Sequence, residues 1–507
     1  MIKGVLDLLE QSAKQFAHKT AFKDTEGEID FKTLQDHAQR IGSFLAISIE
    51  SNYSRPIIVF VERKFEPIVA FMGVHYSGNF YVPVDNKTPE SRLKGILDVL
   101  DPIGVIGFSA ADKSKIEKLN LKLQYFDYQN LISGEIYSER LDAIRRKSID
   151  TDPAYAIFTS GSTGLPKAVA INQRSVLDLS YWLCDTFSFH HKEIIGNQTP
   201  FYFDASVKDI YISLRTGATL YVIPHRCFSF PKTLAETLVK ERISSILWAT
   251  SAVVLTAKSG ILDEVDLPDL KKVFFAGEAM FGRHLNIWRS RLPNCEYINL
   301  YGPTEITVDC TYFKVNREFK SDEVIPIGYA CENKNVFILN EEGQPIQGNE
   351  LGEIAVRGTG LAIGYYNNAE QTRKVFVQSP YHNHYTDLIY KTGDNGRVNE
   401  YGEIEFVGRQ DFQIKHMGNR IELGEIEAAV YSMDDIYQTV ASYDQKVGKI
   451  ILFYTADKEI SASTFLKQLS KSLPKYMFPN KFIHLPEMPM NPNGKIDRNR
   501  IKTEIDG

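Results

Sequence analysis

The sequence predicts an α/β protein with a large N-terminal domain, a β-rich subdomain and a small C-terminal α+β domain. Up to about residue 325, short apolar runs rich in β-branched residues alternate with helical segments, and Gly-rich turns follow several of the runs. Strands that alternate with helices are typical of parallel sheets flanked by helices. Beyond that point, short alternating segments separated by turn residues indicate antiparallel strands.

The elements of the large domain are predicted in chain order. Residues 55–62 form the first buried strand, because apolar, mostly β-branched residues lie between polar ends. A helix begins at residue 66 with Pro67 in its first turn, where a missing backbone N–H costs least. Later strands are predicted at residues 102–108, 244–248, 272–276 and 296–300, with a helix at 234–242. Ligands of such folds gather at the carboxyl ends of the strands.

The last third of the chain divides into two predicted parts. The β-rich subdomain covers about residues 325–410, with turns at 340–343, 367–368 and 399–402. A strand at 449–455 and a helix at 463–469 belong to the C-terminal domain. We therefore expect a large domain at residues 1–410 and a small domain at residues 411–507.

Composition excludes several classes of protein. A net charge of −6 without a basic stripe argues against nucleic acid as the main partner. The five cysteines form no closely spaced pairs, which favours a reducing, cytoplasmic environment over a disulfide-bonded secreted fold. No window approaches the roughly 18 uncharged apolar residues that a membrane span needs. We expect a cytoplasmic enzyme without a membrane partner.

Residues 157–167 carry the strongest chemical signal. An apolar strand runs into a stretch of Gly, Ser and Thr that ends in Pro and Lys. Glycines let backbone N–H groups converge, hydroxyls add donors and the lysine adds positive charge, so the stretch predicts a phosphate-binding loop. Its spacing fits neither the P-loop of nucleoside triphosphatases nor a dinucleotide-binding turn, and the Gly-rich run 358–364 misses the latter by one residue.

This loop resembles the phosphate-binding signature of adenylate-forming enzymes, the superfamily of acyl-CoA synthetases, luciferases and nonribosomal peptide adenylation domains. The resemblance continues in order along nearly the whole chain, at residues 78–85, 203–211, 299–305, 390–394, 408–415, 418–427 and 493–498. Two departures are small: Ala168 stands where glycine is usual, and Lys391 stands where arginine is commoner. The resemblance implies an AMP-forming, ATP-dependent ligase that uses Mg²⁺.

The resemblance also implies a role for each matched position. The triphosphate would be held by Thr159, Ser160, Gly161, Ser162, Thr163, Gly164 and Lys167. Tyr301 would stack on adenine, with Gly277 and Glu278 along the same nucleotide pocket. Asp394 would bind the ribose hydroxyls, with Arg409 beside it. Thr304 would contact phosphate and Glu305 would hold Mg²⁺, a cation that prefers oxygen ligands. Lys495 would reach the α-phosphate from the small domain, which would rotate about a hinge at Asp411.

Asp204 indicates the substrate class. In the amino-acid-activating branch of the superfamily, an aspartate at this position pairs with the substrate ammonium, a charge-assisted contact that fatty acids lack. The alternative is a helix cap, because aspartate is a strong N-cap residue. By motif alignment, the rest of the substrate pocket would be Ala205, Lys208, Trp248, Phe274, Ala276, Leu300, Val308 and Asp309.

Two interpretations of this lining remain open. In the first, Lys208 and Asp309 neutralise each other and leave an apolar pocket narrowed by Trp248, which resembles prolyl-adenylating enzymes. In the second, Lys208 binds a substrate carboxylate, as in glutamate-type pockets. D-alanyl carrier protein ligases are a third possibility, and an acyl- or aryl-CoA ligase is a fourth. Because no carrier segment with a phosphopantetheine-bearing serine follows Lys495, the expected thiol acceptor is a separate carrier protein, with coenzyme A as the alternative.

Overall fold

The chain folds into two compact units in the computed structural model. The large unit contains Met1–Asn86, Leu100–Phe158 and Ala168–Gly408, and the small unit contains Lys87–Val99, Thr159–Lys167 and Arg409–Gly507. The structure describes residues 3–49, 53–119, 123–159, 166–409, 413–431, 433, 435–444, 447–490, 496, 498, 500 and 501. The predicted domain boundary and its hinge residue Asp411 lie outside these residues, so both stay predictions.

Helices and strands alternate through the first half of the chain, as the sequence predicts. The helices are α1 (Val5–Gln15), α2 (Phe31–Ser48), α3 (Glu66–Tyr76), α4 (Glu90–Leu100), α5 (Ala110–Lys118), α6 (Tyr128–Ser133), α7 (Ser138–Lys147), α8 (Gln173–Thr186), α9 (Ala205–Thr216), α10 (Pro231–Lys240), α11 (Thr250–Lys258), α12 (Gly282–Arg291), α13 (Ala369–Val375), α14 (Leu423–Tyr431) and α15 (Ala462–Leu469). Short 3₁₀ helices lie at His225–Ser229, Ile261–Asp263, Thr304–Ile306 and Lys475–Met477.

The strands are β1 (Thr20–Lys23), β2 (Glu28–Asp30), β3 (Pro56–Val61), β4 (Phe80–Asp85), β5 (Gly104–Gly107), β6 (Tyr125–Asp127), β7 (Pro153–Thr159), β8 (Lys167–Asn172), β9 (Ile194–Asn197), β10 (Thr219–Val222), β11 (Ser245–Ala249), β12 (Lys272–Ala276), β13 (Glu296–Tyr301), β14 (Thr311–Lys314), β15 (Tyr329–Ala330), β16 (Lys334–Leu339), β17 (Pro345–Ile346), β18 (Gly352–Gly358), β19 (Gly364–Tyr365), β20 (Phe376–Gln378), β21 (Leu388–Val398), β22 (Ile404–Arg409), β23 (Gln413–His416), β24 (Asn419–Glu422), β25 (Gln438–Asp444), β26 (Lys449–Thr455) and β27 (Lys481–His484).

Two sheets, largely parallel, carry the large unit and confirm the predicted fold class. One has nine strands in the order β15-β14-β13-β12-β11-β9-β10-β1-β2, and the other has seven in the order β19-β8-β7-β4-β3-β5-β6. The predicted β-rich region forms a third sheet from β16, β17, β18, β20, β21 and β22. Strands β15 and β19 lie beyond residue 325 but leave this region: β15 pairs with β14 and β19 with β8, both antiparallel. Local alternation predicts a strand but not the sheet that it joins.

The nine-stranded sheet is buried on both faces, and the alternation of side chains along each strand assigns residues to one face or the other. On β11, β12 and β13, Leu247, Phe274 and Leu300 belong to the main core, which also contains α8 and α9. Trp248 and Phe275 belong to a second core, together with residues of α10, α11 and α12. Neighbouring residues of one strand therefore contribute to different cores.

Helices α2 and α3 pack closely because each presents a glycine at the contact. A Cβ atom on Gly42 would lie 2.3 Å from the Cβ of Tyr76, and one on Gly73 would lie 2.3 Å from Cγ2 of Ile41. Real Cβ atoms do not approach other atoms this closely, and packed cores resist the shift that would relieve the contact.

The small unit has its own apolar core. Its sheets are β23-β24 and β25-β26-β27, and Ile426, Val430, Leu452 and Phe465 are among the residues buried between them and helices α14 and α15. The hairpin that joins β23 to β24 turns at Met417 and Gly418, both with positive φ. In the part of the chain that the structure describes, no helix is both long enough and apolar enough to cross a membrane.

We expect Gly73→Ala to lower the free energy of unfolding of the large unit by about 1–3 kcal/mol, because the added methyl group overpacks the α2–α3 contact. Urea unfolding followed by tryptophan fluorescence measures this, since Trp182, Trp248 and Trp288 all lie in the large unit. Gly27→Ala is the matched control, because Gly27 is exposed and a Cβ there would meet no atom within 4 Å. An equal loss in both variants would contradict the packing argument.

Candidate active site

The carboxyl ends of three neighbouring parallel strands define one edge of the nine-stranded sheet. Ala249, Ala276 and Leu300 lie side by side in register at the ends of β11, β12 and β13. Directly after β12, Gly277 has a φ of 100°, a conformation that favours glycine. The Thr250 hydroxyl donates to the carbonyl oxygens of Ala276 at 3.2 Å and Glu278 at 3.0 Å. These bonds fix the segment that carries two residues predicted to line the nucleotide pocket.

The loop between β13 and β14 is tightly folded. A Cβ atom on Gly302 would lie 2.5 Å from the carbonyl oxygen of Val308, so only glycine fits there. Thr307 and Val308 have φ values of 61° and 71°, which are unusual for residues with side chains and strained for a β-branched residue. Such backbone strain clusters at functional sites, where surrounding structure holds it in place.

Tyr301 and Asp394, which sequence analysis assigns to adenine and ribose, meet in the structure. The Tyr301 hydroxyl donates to Oδ2 of Asp394 at 2.6 Å, and both side chains are buried. Burial raises the pKa of Tyr301 above its ordinary value, and the negative charge of Asp394 raises it further. The backbone N–H of Asp394 donates to the Thr392 hydroxyl at 3.0 Å. Strand β21 thus places the carboxylate against the end of β13.

Glu305 lies in the 3₁₀ helix Thr304–Ile306 with no exposed surface. The Tyr365 hydroxyl donates to its Oε1 at 2.7 Å. Thr304 is also buried, one residue earlier. Tyr365 was not among the predicted site residues; the Gly-rich run 358–364 that directly precedes it was noted only because it misses the dinucleotide-binding pattern.

Asp204 precedes α9 but does not act as a helix cap. It occupies the N-cap position with φ −61° and ψ −31°, and its side chain makes no capping hydrogen bond. Burial raises the pKa of Tyr155 well above its ordinary value, and the negative charge of nearby Asp204 raises it further. The alternative of a capping role is therefore not supported, and the carboxylate lies close enough to Tyr155 for its charge to act on the tyrosine.

Lys208 and Asp309 form a buried ion pair. The Lys208 Nζ atom lies 3.3 Å from Oδ1 and 3.2 Å from Oδ2 of Asp309, and the two side chains are 2% and 1% exposed. The pair joins the first turns of α9 to the end of the loop after β13. Asp204 lies one helical turn before Lys208, so the two side chains share a face of α9.

A second buried carboxylate follows on the same helix. Asp209 has no exposed surface and accepts from Nδ2 of Asn197 at 2.7 Å. Burial raises the pKa of Asp209 to about 7, while the positive charges of Lys208 and Arg63 oppose that shift. Arg63 donates to Oδ1 of Asn197 at 3.1 Å and to the carbonyl oxygen of Gln198 at 2.8 Å. Lys208 and Arg63 thus lower the cost of burying the Asp209 carboxylate near the start of α9.

The structure separates Trp248 from the other predicted pocket residues. Its side chain lies in the second core, donates to the carbonyl oxygen of Gly196 at 2.8 Å and packs against Phe228. Phe274, Ala276 and Leu300 face the main core instead. The placement of Trp248 beside them is wrong, because strand β11 alternates and Leu247 and Ala249 occupy the matching face. Phe274 is fully buried and packs against the rings of Phe187 and Phe189.

The remaining predicted residues divide between the two units. Ala205 and Val308 lie in the large unit with the residues above, whereas Thr159, Lys167 and Arg409 belong to the small unit. Ser160, Gly161, Ser162, Thr163, Gly164 and Lys495 lie outside the described residues. Among the residues that the structure does describe, no group of three or more His, Cys, Asp or Glu side chains could hold a metal ion. Mg²⁺ binds through one or two carboxylates plus substrate phosphates and water, so Glu305 fits such a site.

Comparison with known proteins identifies the family of the chain. Residues 9–366 match the model of the AMP-binding enzyme family. The D-alanine–D-alanyl carrier protein ligase of Bacillus cytotoxicus is 30% identical over 519 residues, which cover 99% of each chain. Bacitracin synthase 3 of Bacillus licheniformis is 32% identical over 507 residues, which cover 98% of this chain but only 8% of that relative's length.

A solved structure shares the fold. The Vibrio cholerae adenylation domain AlmE, in complex with glycyl-adenosine-5'-phosphate, superposes with a TM-score of 0.84 at 20% identity, over 100% of this chain and 98% of that one. The chain belongs to the AMP-binding enzyme family.

We expect Lys208→Met to lower the free energy of unfolding by about 3–5 kcal/mol, because it leaves the Asp309 carboxylate buried without its cation. The double variant Lys208→Met/Asp309→Leu should regain most of that loss, since it removes both charges. Urea unfolding followed by tryptophan fluorescence gives both values, and Lys232→Met on the exposed surface of α10 is the matched control. Additive losses in the double variant would contradict the pairing.

Proposed function

We propose that this protein activates an amino acid with ATP and transfers it to a carrier protein. The substrate carboxylate attacks the α-phosphate, pyrophosphate leaves, and the aminoacyl-adenylate then reacts with the phosphopantetheine thiol of a separate carrier. Membership of the AMP-binding family supports the first step. The carrier protein ligase that matches over 99% of both chains supports the second, and a relative complexed with an aminoacyl-adenylate supports the intermediate.

The nucleotide end of the site includes the buried contact between Tyr301 and Asp394. Tyr301 provides the face on which adenine stacks, and Asp394, held by the Tyr301 hydroxyl, accepts from the ribose hydroxyls. Gly277 and Glu278 line the same pocket, and the loop from Thr159 to Lys167 holds the triphosphate. Thr304 contacts a phosphate oxygen. Bound through Glu305, Mg²⁺ supplies positive charge that screens the approach of two anions.

Lys495, in the small unit, acts in the first half-reaction. Its ammonium stabilises charge that develops on the α-phosphate as the carboxylate approaches. A rotation about Asp411 then removes Lys495 before the thiol attacks. Positioning supplies most of the remaining rate enhancement, because the reacting groups are held in one orientation.

The ion pair between Lys208 and Asp309 is the observation that carries the substrate class. Because each charge already has its partner, neither is available to a charged substrate side chain, and separating them in a buried site is costly. Asp204 pairs with the substrate ammonium, which favours an amino acid over the acyl or aryl acid of a CoA ligase. We therefore propose a substrate with a small, uncharged side chain rather than glutamate.

Two of the candidates named from the sequence meet this description. L-proline is the candidate that the predicted lining favoured, but part of that argument used Trp248, which lies on the other face of the sheet. D-alanine is the candidate that a full-length carrier protein ligase relative favours. Both are compatible with a lining of Ala205, Ala276, Leu300 and Val308, so an activity assay has to distinguish between them.

We expect proline or alanine of one configuration to stimulate ATP–pyrophosphate exchange most strongly in a panel of all proteinogenic amino acids, D-alanine and a fatty acid. Asp204→Ala should reduce kcat/KM for the preferred amino acid by about 100-fold or more, because a charge-assisted contact is lost. Asp185→Ala, at the exposed end of α8, is the matched control. Strongest exchange with glutamate would refute the paired-charge argument, and exchange with fatty acids alone would refute amino acid activation.

Lys495→Ala should suppress adenylate formation by about 100-fold or more while transfer from a chemically prepared adenylate to the carrier changes little, because its ammonium acts only at the α-phosphate. Exchange assays and single-turnover transfer measure the two steps separately. Lys467→Ala on the exposed face of α15 controls for loss of a small-unit charge. Equal losses in both steps would contradict the assigned role.

A further inference from the structure

The Gly-rich run at residues 358–364 and the tyrosine that follows it have no part in the function proposed above. The run fits no dinucleotide-binding pattern, yet it lies directly against the loop that carries Glu305. The Ala362 N–H donates to the carbonyl oxygen of Glu305 at 2.9 Å. The Thr307 hydroxyl donates to the carbonyl oxygen of Gly360 at 2.7 Å. The run therefore contacts both Glu305 and Thr307.

This close approach requires glycine at position 360. A Cβ atom there would lie 2.6 Å from the carbonyl oxygen of Ile306 and 2.5 Å from Cε of Lys334. Backbone atoms cannot yield cheaply to such a contact. The sequence signal of repeated glycines thus has a physical cause, namely two backbone segments packed directly on each other.

Tyr365 approaches the Glu305 carboxylate from a rigid support. Its backbone pairs with Val169 of β8 through strand β19, and its N–H donates to the Thr372 hydroxyl at 2.9 Å. The side chain is 6% exposed, and its ring meets that of Phe376 with centroids 6.2 Å apart. From this support the hydroxyl donates to Oε1 of Glu305 at 2.7 Å.

A hydroxyl donor on one oxygen fixes the rotation of a carboxylate without neutralising its charge. Outer groups that orient a metal-binding carboxylate in this way typically change metal affinity about 10–100-fold when they are removed. We propose that Tyr365 is a positioning residue, which holds the Glu305 carboxylate in the orientation that receives the Mg²⁺ of Mg²⁺·ATP. This inference rests on the proposed function, in which Glu305 is the magnesium ligand.

The variant Tyr365→Phe removes only the hydroxyl. The probe is α,β-methylene-ATP, whose binding to the full chain is measured by calorimetry with Mg²⁺ and with EDTA. We expect the gain in affinity that Mg²⁺ gives to fall about tenfold, while affinity in EDTA stays within twofold of the wild-type value. In exchange assays, the Mg²⁺ concentration at half-maximal rate should rise while the KM for the amino acid stays unchanged.

Tyr297→Phe is the matched control. Tyr297 is also buried, and its hydroxyl donates to the carbonyl oxygens of Trp288 and Leu292 at 2.9 Å, within the second core. A purely structural role for Tyr365 would lower thermal stability in both variants and leave the dependence on Mg²⁺ unchanged. In a Glu305→Gln background, Tyr365→Phe should have no further effect on binding with Mg²⁺.

Three results would overturn the inference: a Tyr365→Phe variant with the wild-type gain from Mg²⁺, an equal loss of affinity with Mg²⁺ and EDTA, or a full additional loss in the Glu305→Gln background. Failure of the proposed function has a different signature, since no amino acid would then stimulate exchange by the wild-type protein. The binding measurement uses nucleotide and Mg²⁺ alone, so it can be interpreted whether or not an amino acid stimulates exchange.

Discussion

The buried ion pair between Lys208 and Asp309 is the interaction on which the site depends most directly. It connects helix α9, which carries Asp204, to the loop after β13, which carries Glu305. An ammonium and a carboxylate at 2% and 1% exposure are costly to separate, since each would remain buried without its partner. The pair therefore fixes the distance between two parts of the site and also sets its charge. Within the pair, each buried charge is compensated by the other.

The loop after β13 carries several of the predicted site residues within a short stretch. It begins at Tyr301, whose hydroxyl donates to Asp394, and passes through Thr304 and Glu305. It ends at Asp309, where the ion pair holds it. Gly302 allows the loop to return on itself, and positive φ values at Thr307 and Val308 complete the turn into the antiparallel strand β14. The Gly-rich run before Tyr365 then packs on the loop through backbone contacts. These contacts hold the strained backbone of Thr307 and Val308 in place, and such strain is common at functional sites.

Sequence reasoning located the strands and the motifs because both depend on local patterns. The strand at 449–455 and the turns near Gly343 and Gly402 have the bounds that apolar periodicity and glycine signals indicate. The sequence-based placement of Trp248 was wrong. Alternation along a strand separates its residues into two faces, but only the packing of the folded sheet determines which of those faces points toward the site. Sequence reasoning also missed Tyr365, whose contact with Glu305 joins residues sixty positions apart. No local pattern encodes such a contact.

The sequence by itself determined the fold class, the family resemblance and the chemical types available to the site, because strand periodicity, glycine turns and motif order are properties of neighbouring residues. Only the tertiary structure decided that Lys208 and Asp309 neutralise each other, that Asp204 does not cap its helix and that the Trp248 ring belongs to another core. Each of these depends on which side chains meet after burial, when the cost of an unpaired charge selects one arrangement from those that the sequence permits.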